Sequence, residues 1–355
     1  MELFSRSMAL LRQAVTDGAT PCAAAAVGVR NQLLATAVFG NARTEDTVIP
    51  ADYATRFDMA SLTKILSPTM IALKMLEEGR LTLCDTLGSY FDAPSDKAEI
   101  TVFQLMTHSS GLLPHIMLQE ETSDPAKAAS VILSSELVCP PGSQVNYSCM
   151  GYILLGKILE QIGGKPLNEL AEEYVFDPLG MTHTGYLPQG DHIAATEITP
   201  EGQCLQGVVH DENARFLGGI SGNAGVFSDL SDCVTFATML ACGGRLNAEN
   251  YLSPAVYEAA VRNYTPGCNQ NRGLGFHLKG EASFHGDLFP AASFGHTGFT
   301  GTSLLIDPTT GLYVVLLANR VHPTRQNIRF LRVRRLFHNS VMAEFSSLSS
   351  ACKQQ

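Results

Sequence analysis

The chain has 355 residues, of which 45% are hydrophobic and 16% are charged. A chain of this length can bury a large core and is long enough for two lobes. With 24 basic and 34 acidic residues its net charge is −10, which argues against a nucleic acid as partner. We interpret the one basic stretch, within 325–335, as the exposed face of a C-terminal helix.

Nine cysteines are scattered singly, without a Cys-x-x-Cys pair. This pattern predicts reduced thiols in a cytoplasmic protein, not a disulfide scaffold or a zinc site. Charged residues interrupt every apolar run in 1–17, so this segment predicts an amphipathic surface helix. No stretch is long and apolar enough to span a bilayer. We expect a cytoplasmic protein with a small-molecule substrate and no metal, cofactor or membrane partner.

Short runs of apolar and β-branched residues predict four strands, at 22–30, 33–39, 302–306 and 312–318. Helical spacing of apolar residues predicts the helices 1–17, 61–78, 100–108, 152–162, 167–175 and 327–345. Pro68 removes a hydrogen bond from the second of these helices and predicts a bend there.

Strands at both ends of the chain, with helices between them, predict an α/β (α+β) fold. In this fold an antiparallel β-sheet is flanked by helices, and a mostly helical lobe is inserted into it. The predicted lobes are 1–88 with 207–345 for the sheet and its helices, and 89–206 for the inserted lobe. Residues 346–355 are predicted to be a tail.

Ser61-Leu62-Thr63-Lys64 places a hydroxyl and an amine at the start of a helix. Unpaired N–H groups and the helix dipole favour negative charge there, and Lys64 lies one turn on, on the face of Ser61. A serine hydroxyl becomes a good nucleophile only when a base takes its proton. The alternative interpretation is a helix-capping serine with a solvated lysine.

Two further side chains can carry protons. Tyr147 follows a rigid turn and precedes an apolar helix, where it is alternatively an aromatic anchor. His296 lies between two glycines at the start of a strand, where it is alternatively a structural histidine. We hypothesise that Lys64 and Tyr147 form a coupled acid/base pair and that His296 shares the task.

Gly298 predicts a site for a developing negative charge. A glycine lets the strand approach a ligand closely and leaves the Phe299 N–H free to donate. With the Ser61 N–H it can form an oxyanion hole, in which each donor is worth roughly 3–4 kcal/mol.

Five segments occur in one order along the chain: Met59-Ala60-Ser61-Leu62-Thr63-Lys64, 105–112 (LMTHSSGL), 141–148 (PGSQVNYS), 176–181 (FDPLGM) and His296-Thr297-Gly298. Together they resemble the serine β-lactamase and penicillin-binding-protein superfamily, of the class C β-lactamase type. The resemblance implies a helical lobe beside an antiparallel sheet, with the site in the cleft. It also implies the nucleophile Ser61, the acid/base pair Lys64 and Tyr147, the oxyanion N–H groups of Ser61 and Phe299, and a substrate strand at Thr297 and Gly298.

The chain departs from this pattern at Cys149. Class C β-lactamases have an asparagine at this substrate-binding position, where it donates to a substrate amide. A thiol is a weak donor, so we expect inefficient β-lactam hydrolysis. The acyl-enzyme chemistry itself does not depend on this residue.

A narrower resemblance lies in 207–214, 218–228 and 318–325. These segments look like a subgroup that includes the bacterial N-acetylmuramoyl-L-alanine amidases of cell-wall recycling, which cleave the amide between the lactyl group and L-alanine. Because arginine forks match carboxylates, we expect Arg320 and Arg325, with His322, to hold the substrate peptide. The polar run 210–212 is interpreted as a loop that bonds neighbouring backbone, not as a metal site.

The first functional hypothesis is therefore a cytoplasmic serine amidase for muropeptides. The alternatives are a carboxylesterase or weak β-lactamase of the same fold, and a non-catalytic penicillin-binding-like sensor. A sensor has no reason to keep Ser61, Lys64, Tyr147 and His296 together. We expect segments 111–129 and 186–206 to border the cleft and to set specificity.

Overall fold

A seven-stranded antiparallel sheet lies at the centre of the computed structural model, which describes residues 3–281 and 283–352. In spatial order its strands are Ile49–Pro50 (β3), Gln32–Arg43 (β2), Cys22–Val29 (β1), Leu312–Ala318 (β12), Ser303–Asp307 (β11), Phe294–Thr297 (β10) and His277–Leu278 (β9). A second sheet has the order Phe57–Asp58 (β4), Val226–Ser228 (β6) and Gly185–Tyr186 (β5), and a hairpin joins Arg245–Leu246 (β7) to Glu249–Asn250 (β8).

The helices surround this sheet. They are Ser5–Thr16 (α1), Thr63–Leu66 (α2), Pro68–Glu77 (α3), Val102–Met106 (α4), Leu118–Glu121 (α5), Ala128–Ser134 (α6), Cys149–Gly163 (α7), Leu167–Ala171 (α8), Asp177–Leu179 (α9), Glu212–Phe216 (α10), Leu230–Ala241 (α11), Pro254–Val261 (α12) and Arg329–Cys352 (α13). Short 3-10 turns cover Ala60–Leu62, Leu87–Ser89 and Pro125–Lys127, and a π-helical turn covers Glu172–Phe176.

Both faces of the sheet are covered, as the alternation along β1 shows. Ala23 and Ala25 face one apolar cluster, which includes Phe337 of α13, and Ala24 and Ala26 face the other. Small side chains on this strand let the helices pack closely on either face.

The predicted fold class is confirmed. The first strand pairs with the last, from Ala23 opposite Ala318 to Val29 opposite Leu312, so the sheet is assembled from both ends of the chain. The division into a lobe of the sheet and its helices, 1–88 with 207–345, and an inserted helical lobe, 89–206, stays a prediction.

The helix predicted to begin at Ser61 is divided into α2 and α3. Ser67 has φ −130° and ψ −90°, and Pro68 is the first residue of α3, where its missing N–H has no helical acceptor to lose. The interruption is therefore where the sequence predicts a bend. At the other end of the chain, the predicted tail 346–355 is helical through Cys352, and 353–355 lie outside the described residues.

All eight cysteines whose side chains the structure describes are free thiols. Burial raises the pKa of Cys22 and of Cys233, which keeps both protonated. Of the helices in the described ranges, none has the length and hydropathy needed to cross a bilayer.

The packing of α13 on the sheet generates a stability prediction. Phe337 is fully buried, and Ile328, just before this helix, is 65% exposed. We expect Phe337→Ala to lower the free energy of unfolding by about 3–5 kcal/mol, because it leaves a cavity. Ile328→Ala is the matched control and should change it by less than about 0.5 kcal/mol. Urea unfolding followed by circular dichroism measures both, and equal effects would contradict this account of the helix.

Candidate active site

Ser61 lies in a tight turn that links β4 to α2. The preceding residue, Ala60, has φ +46°, in the left-handed region that is unfavourable for an alanine. Two bonds hold this conformation: the Ala60 N–H donates to the Asp58 carboxylate (2.8 Å), and the Met59 N–H donates to the Val226 carbonyl (2.9 Å). The turn leaves the Ser61 hydroxyl partly exposed.

Lys64 is fully buried directly behind Ser61. Its Nζ donates to Ser61 Oγ at 3.0 Å and to the Asn223 carbonyl at 2.9 Å, and it lies 3.7 Å from Cys149 Sγ. Within the described part of the chain no carboxylate forms an ion pair with it.

Burial by itself lowers the pKa of Lys64, whereas negative charge on Cys149 or Tyr147 raises it, and the balance lies above the usual value. Lys64 Nζ therefore lies between Ser61 Oγ and the ring of Tyr147, the arrangement expected of the acid/base pair that the sequence predicts.

Tyr147 lies close to this amine and is fixed by the residues next to it. Lys64 Nζ is 5.0 Å from the centre of its ring. The ring of His108 lies 4.4 Å from that of Tyr147, tilted by 37°, and the Ser148 N–H donates to His108 Nδ1 at 3.1 Å. The aromatic neighbour and the backbone bond hold the phenol near Lys64, whose amine bonds Ser61 Oγ.

His296 lies on β10 on the same side, with its ring 6.0 Å from that of Tyr147. Its Nδ1 is 2.9 Å from the Thr297 carbonyl, which can only accept, so Nδ1 carries the proton and Nε2 is a lone pair. Nε2 is buried and has no partner among the described residues. Burial, followed by the charges of Lys64 and Arg272, puts the pKa of His296 well below its usual range. His296 is therefore a neutral acceptor.

The N–H groups of Ser61 and Phe299 are both available for an oxyanion, since neither has an acceptor in the described residues. The role expected of Gly298 needs a correction. A side chain at this position would meet protein, not ligand, because a Cβ would lie 2.5 Å from the Met59 carbonyl and close to Thr302. The glycine lets the end of β10 lie against the Ser61 turn and so brings the two N–H groups together.

The ring of Phe299 is 50% exposed and has two contacts that fix it. The Arg320 guanidinium lies 4.6 Å from its centre, and the His210 ring stacks at 5.7 Å with an interplanar angle of 19°. The N–H of His210 donates to the second oxygen of Asp58, at 2.7 Å. One carboxylate thus joins the Ser61 turn to the loop that supports Phe299.

The two arginines expected to bind substrate already have partners within the protein. Arg325 pairs with Glu197 and with Glu212, at 2.5 and 2.6 Å. Arg320 donates to the backbone carbonyls of Arg325 and Asn327, at 3.1 and 3.0 Å. Their contact with a substrate stays a prediction.

Of the polar run 210–212, only Asp211 bonds neighbouring backbone through its side chain, because it caps α10 by accepting from the Ala214 N–H at 2.8 Å. His210 Nε2 lies 3.0 Å from Glu197 Oε2, and Glu212 is the first residue of α10 and pairs with Arg325. His322 is also fully used, because its Nδ1 donates to the Thr196 carbonyl (2.7 Å) and its Nε2 accepts from the Thr44 N–H (3.0 Å).

Three residues of the site were not found by sequence reasoning. Asp58 stands just before a recognised motif, and Asn223 lies in a segment matched for another reason. No spacing pattern marks Arg272, whose guanidinium carbon lies 5.5 Å from the centre of the Tyr147 ring.

One group among the described residues could offer three metal ligands: His183, Asp229 and Asp232, whose ligand atoms lie within 4.8 Å of one another. Both carboxylates already accept backbone N–H groups, Asp229 at the start of α11 and Asp232 from His183. These bonds account for the cluster without an ion.

Comparison with known proteins adds the following. A sequence model of the family named Beta-lactamase matches residues 8–336. An Escherichia coli (strain K12) protein named "Putative D-alanyl-D-alanine carboxypeptidase" is 33% identical over 316 residues, which are 77% of this chain and 71% of that protein.

Solved structures agree in fold. EstCE1, described as a hydrolase with promiscuous acyltransferase activity, is 21% identical and superimposes with a TM-score of 0.73 over 93% of this chain and 97% of its own. A penicillin-binding protein homologue from Caulobacter crescentus is 20% identical, with a TM-score of 0.73 over 95% and 97%. At these identities the likeness concerns the fold alone.

The contact at Gly298 generates a prediction about acylation. We expect Gly298→Ala to push β10 away from the Ser61 turn, displace the Phe299 N–H and slow acylation of Ser61 by about 10²–10³-fold. Gly185→Ala is the control, because a Cβ there meets nothing within 4 Å. Labelling of Ser61 by a fluorophosphonate, followed over time by intact-mass spectrometry, measures both rates. Equal rates for the two variants would exclude this role for Gly298.

Proposed function

This chain belongs to the beta-lactamase family. We propose that it is a serine amidase, which cleaves cell-wall muropeptides through an acyl-enzyme on Ser61. Membership makes it a serine hydrolase of the beta-lactamase fold. The observation that carries the catalytic proposal is the 3.0 Å bond from Lys64 to Ser61 Oγ, beside Tyr147 and two free N–H groups.

The reaction follows from this geometry. Ser61 Oγ attacks the amide carbonyl carbon while its proton passes to the Tyr147 oxygen, whose negative charge Lys64 stabilises. The carbonyl oxygen becomes an oxyanion between the N–H groups of Ser61 and Phe299. Tyr147 then gives its proton to the leaving amine, and the C–N bond breaks. Water repeats the sequence on the acyl-enzyme and releases the acid.

Two observations support a muropeptide as substrate, and they favour different bonds. Segments 207–214, 218–228 and 318–325 resemble amidases that cleave the amide between the lactyl group and L-alanine. The E. coli relative has a name that refers instead to the terminal D-alanyl-D-alanine bond. We place the lactyl amide first and the D-alanyl-D-alanine bond second. The unpaired cysteines favour a cytoplasmic location for either reaction.

Cys149 argues against an efficient β-lactamase. Its thiol lies against Lys64 Nζ, and burial raises its pKa, so it stays a neutral, weak donor. A carboxylesterase would not need a donor at this position, and ester hydrolysis is therefore the main competing outcome.

N-Acetylmuramoyl-pentapeptide contains both candidate bonds, so one substrate tests the proposal. We expect the purified protein to release the intact pentapeptide, detected by mass spectrometry. Release of D-alanine would favour the second bond, and turnover of nitrophenyl esters or nitrocefin alone would contradict the amidase. The lack of any covalent adduct with a fluorophosphonate or penicillin would support the non-catalytic sensor.

The nucleophile is tested separately. We expect Ser61→Ala to abolish the covalent adduct with a fluorophosphonate and to lower turnover by at least about 10³-fold. Ser89→Ala, at an exposed serine of a 3-10 turn, is the matched control. It should still form the covalent adduct and keep the wild-type turnover. An adduct that persists in Ser61→Ala would assign the nucleophile elsewhere.

A further inference from the structure

Arg272 is a buried cation with which no carboxylate of the described residues pairs. It is 4% exposed, and its one side-chain bond is from Nη2 to Gln270 Oε1, at 2.5 Å. Its Nε and Nη1 have no acceptor among the described residues. Burial lowers the pKa of Arg272 to about 10, which still leaves the group charged at neutral pH. A buried charge of this kind is unfavourable unless something compensates it.

The guanidinium lies next to the proposed base. Its central carbon is 5.5 Å from the centre of the Tyr147 ring, and Lys64 Nζ is 5.0 Å from the same centre. The ion pairs in the described ranges include neither cation. Two desolvated positive charges therefore converge on one phenol.

A second phenol, Tyr152, also lies near Lys64, and it does not fit the role of the negative group. It is fully buried, which raises its pKa to about 12. Its hydroxyl bonds Thr69 Oγ1 at 3.2 Å and the Met106 carbonyl at 3.4 Å. Tyr152 stays neutral, which leaves Tyr147 as the phenol that can take the charge.

The other titratable groups around Tyr147 are uncharged. Burial holds the pKa of His108 and of His296 well below the usual range, and the pKa of His277 at about 3. Burial raises the pKa of the Cys149 thiol. The exception is Asp211, which accepts from the Asn223 amide at 3.0 Å and whose charge helps to raise the pKa of Lys64.

We propose that Arg272 is a positioning residue for catalysis: together with Lys64 it holds Tyr147 as a phenolate ready to take the Ser61 proton. The inference rests on the proposed function, since it needs Tyr147 to be the base. The Ser61 O–H bond breaks as the Tyr147 O–H bond forms, and the proton then passes to the leaving group, which restores the phenolate. His296 is near Tyr147 but neutral, so the second positive charge beside this phenol, after that of Lys64, comes from Arg272.

The charge of Arg272 is tested with Arg272→Met, which removes it, and Arg272→Lys, which keeps it. The probe is a fluorophosphonate, and the rate of Ser61 labelling is measured from about pH 5 to about pH 10. We expect the acid limb of the Arg272→Met profile to move to higher pH by about one unit or more, because a lost positive charge disfavours the phenolate. Arg272→Lys should restore most of the wild-type profile.

A purely structural role predicts a different result. In that case Arg272→Met and Arg272→Lys lose rate alike at every pH, and this outcome overturns the proposal. Arg272→Gln, which can still donate to Gln270, is the second neutral variant if Arg272→Met does not fold. Tyr152→Phe is the control at the neutral phenol and should leave the acid limb in place.

The failure of this inference can be told from the failure of the proposed function. If the wild-type protein is not labelled at Ser61 at any pH, the proposed function fails. If it is labelled, and removal of the Arg272 charge leaves the acid limb unmoved, only the role of Arg272 is rejected.

Discussion

The site depends on one buried carboxylate, Asp58. One of its oxygens accepts the N–H of Ala60, which fixes the strained residue before Ser61, and the other accepts the N–H of His210. His210 stacks on Phe299, so the two backbone donors proposed for the oxyanion are set by the same side chain. Burial raises the pKa of Asp58, and the N–H groups of His210 and Ala60 oppose that shift because they stabilise the carboxylate. Loss of this side chain would release both N–H groups at once.

The electrostatics around Ser61 favour negative charge. Two buried cations, Lys64 and Arg272, lie beside Tyr147, while His108 and His296 are held neutral by burial. Buried charges of one sign are costly to assemble, and each here keeps at least one hydrogen bond to a neutral group of the protein. These cations stabilise a phenolate or an oxyanion when it forms, because they are already in place and the protein does not need to rearrange.

Sequence reasoning succeeded where the cause is local. The first strand, the interruption at Pro68 and the shared face of Ser61 and Lys64 all follow from neighbouring residues, and the fold class follows from strands at the two chain ends. It failed where the partner is distant in sequence. No local pattern indicates that Arg325 pairs with Glu197, 128 residues away, or that a Cβ at Gly298 would meet the Met59 carbonyl. A contact of Arg325 with substrate stays a prediction. Arg272 belongs to no pattern, since only the folded chain brings it to Tyr147.

The same long-range bonds bear on where specificity arises. Cys149 offers no strong donor, and the Thr297 carbonyl already accepts from His296, so the residues nearest to Ser61 leave few polar groups for a substrate. Segment 111–118, next to Tyr147, is held in place by three bonds. The Ser148 hydroxyl donates to the Leu113 carbonyl at 2.6 Å, and the side chain of Asn213 bonds the backbone at positions 116 and 118. A segment that is already ordered distinguishes substrates by its shape and by the polar groups that it presents. Its binding of a substrate loses no conformational entropy of the segment. Discrimination among substrates is therefore expected to depend on segment 111–118 more than on the residues around Ser61.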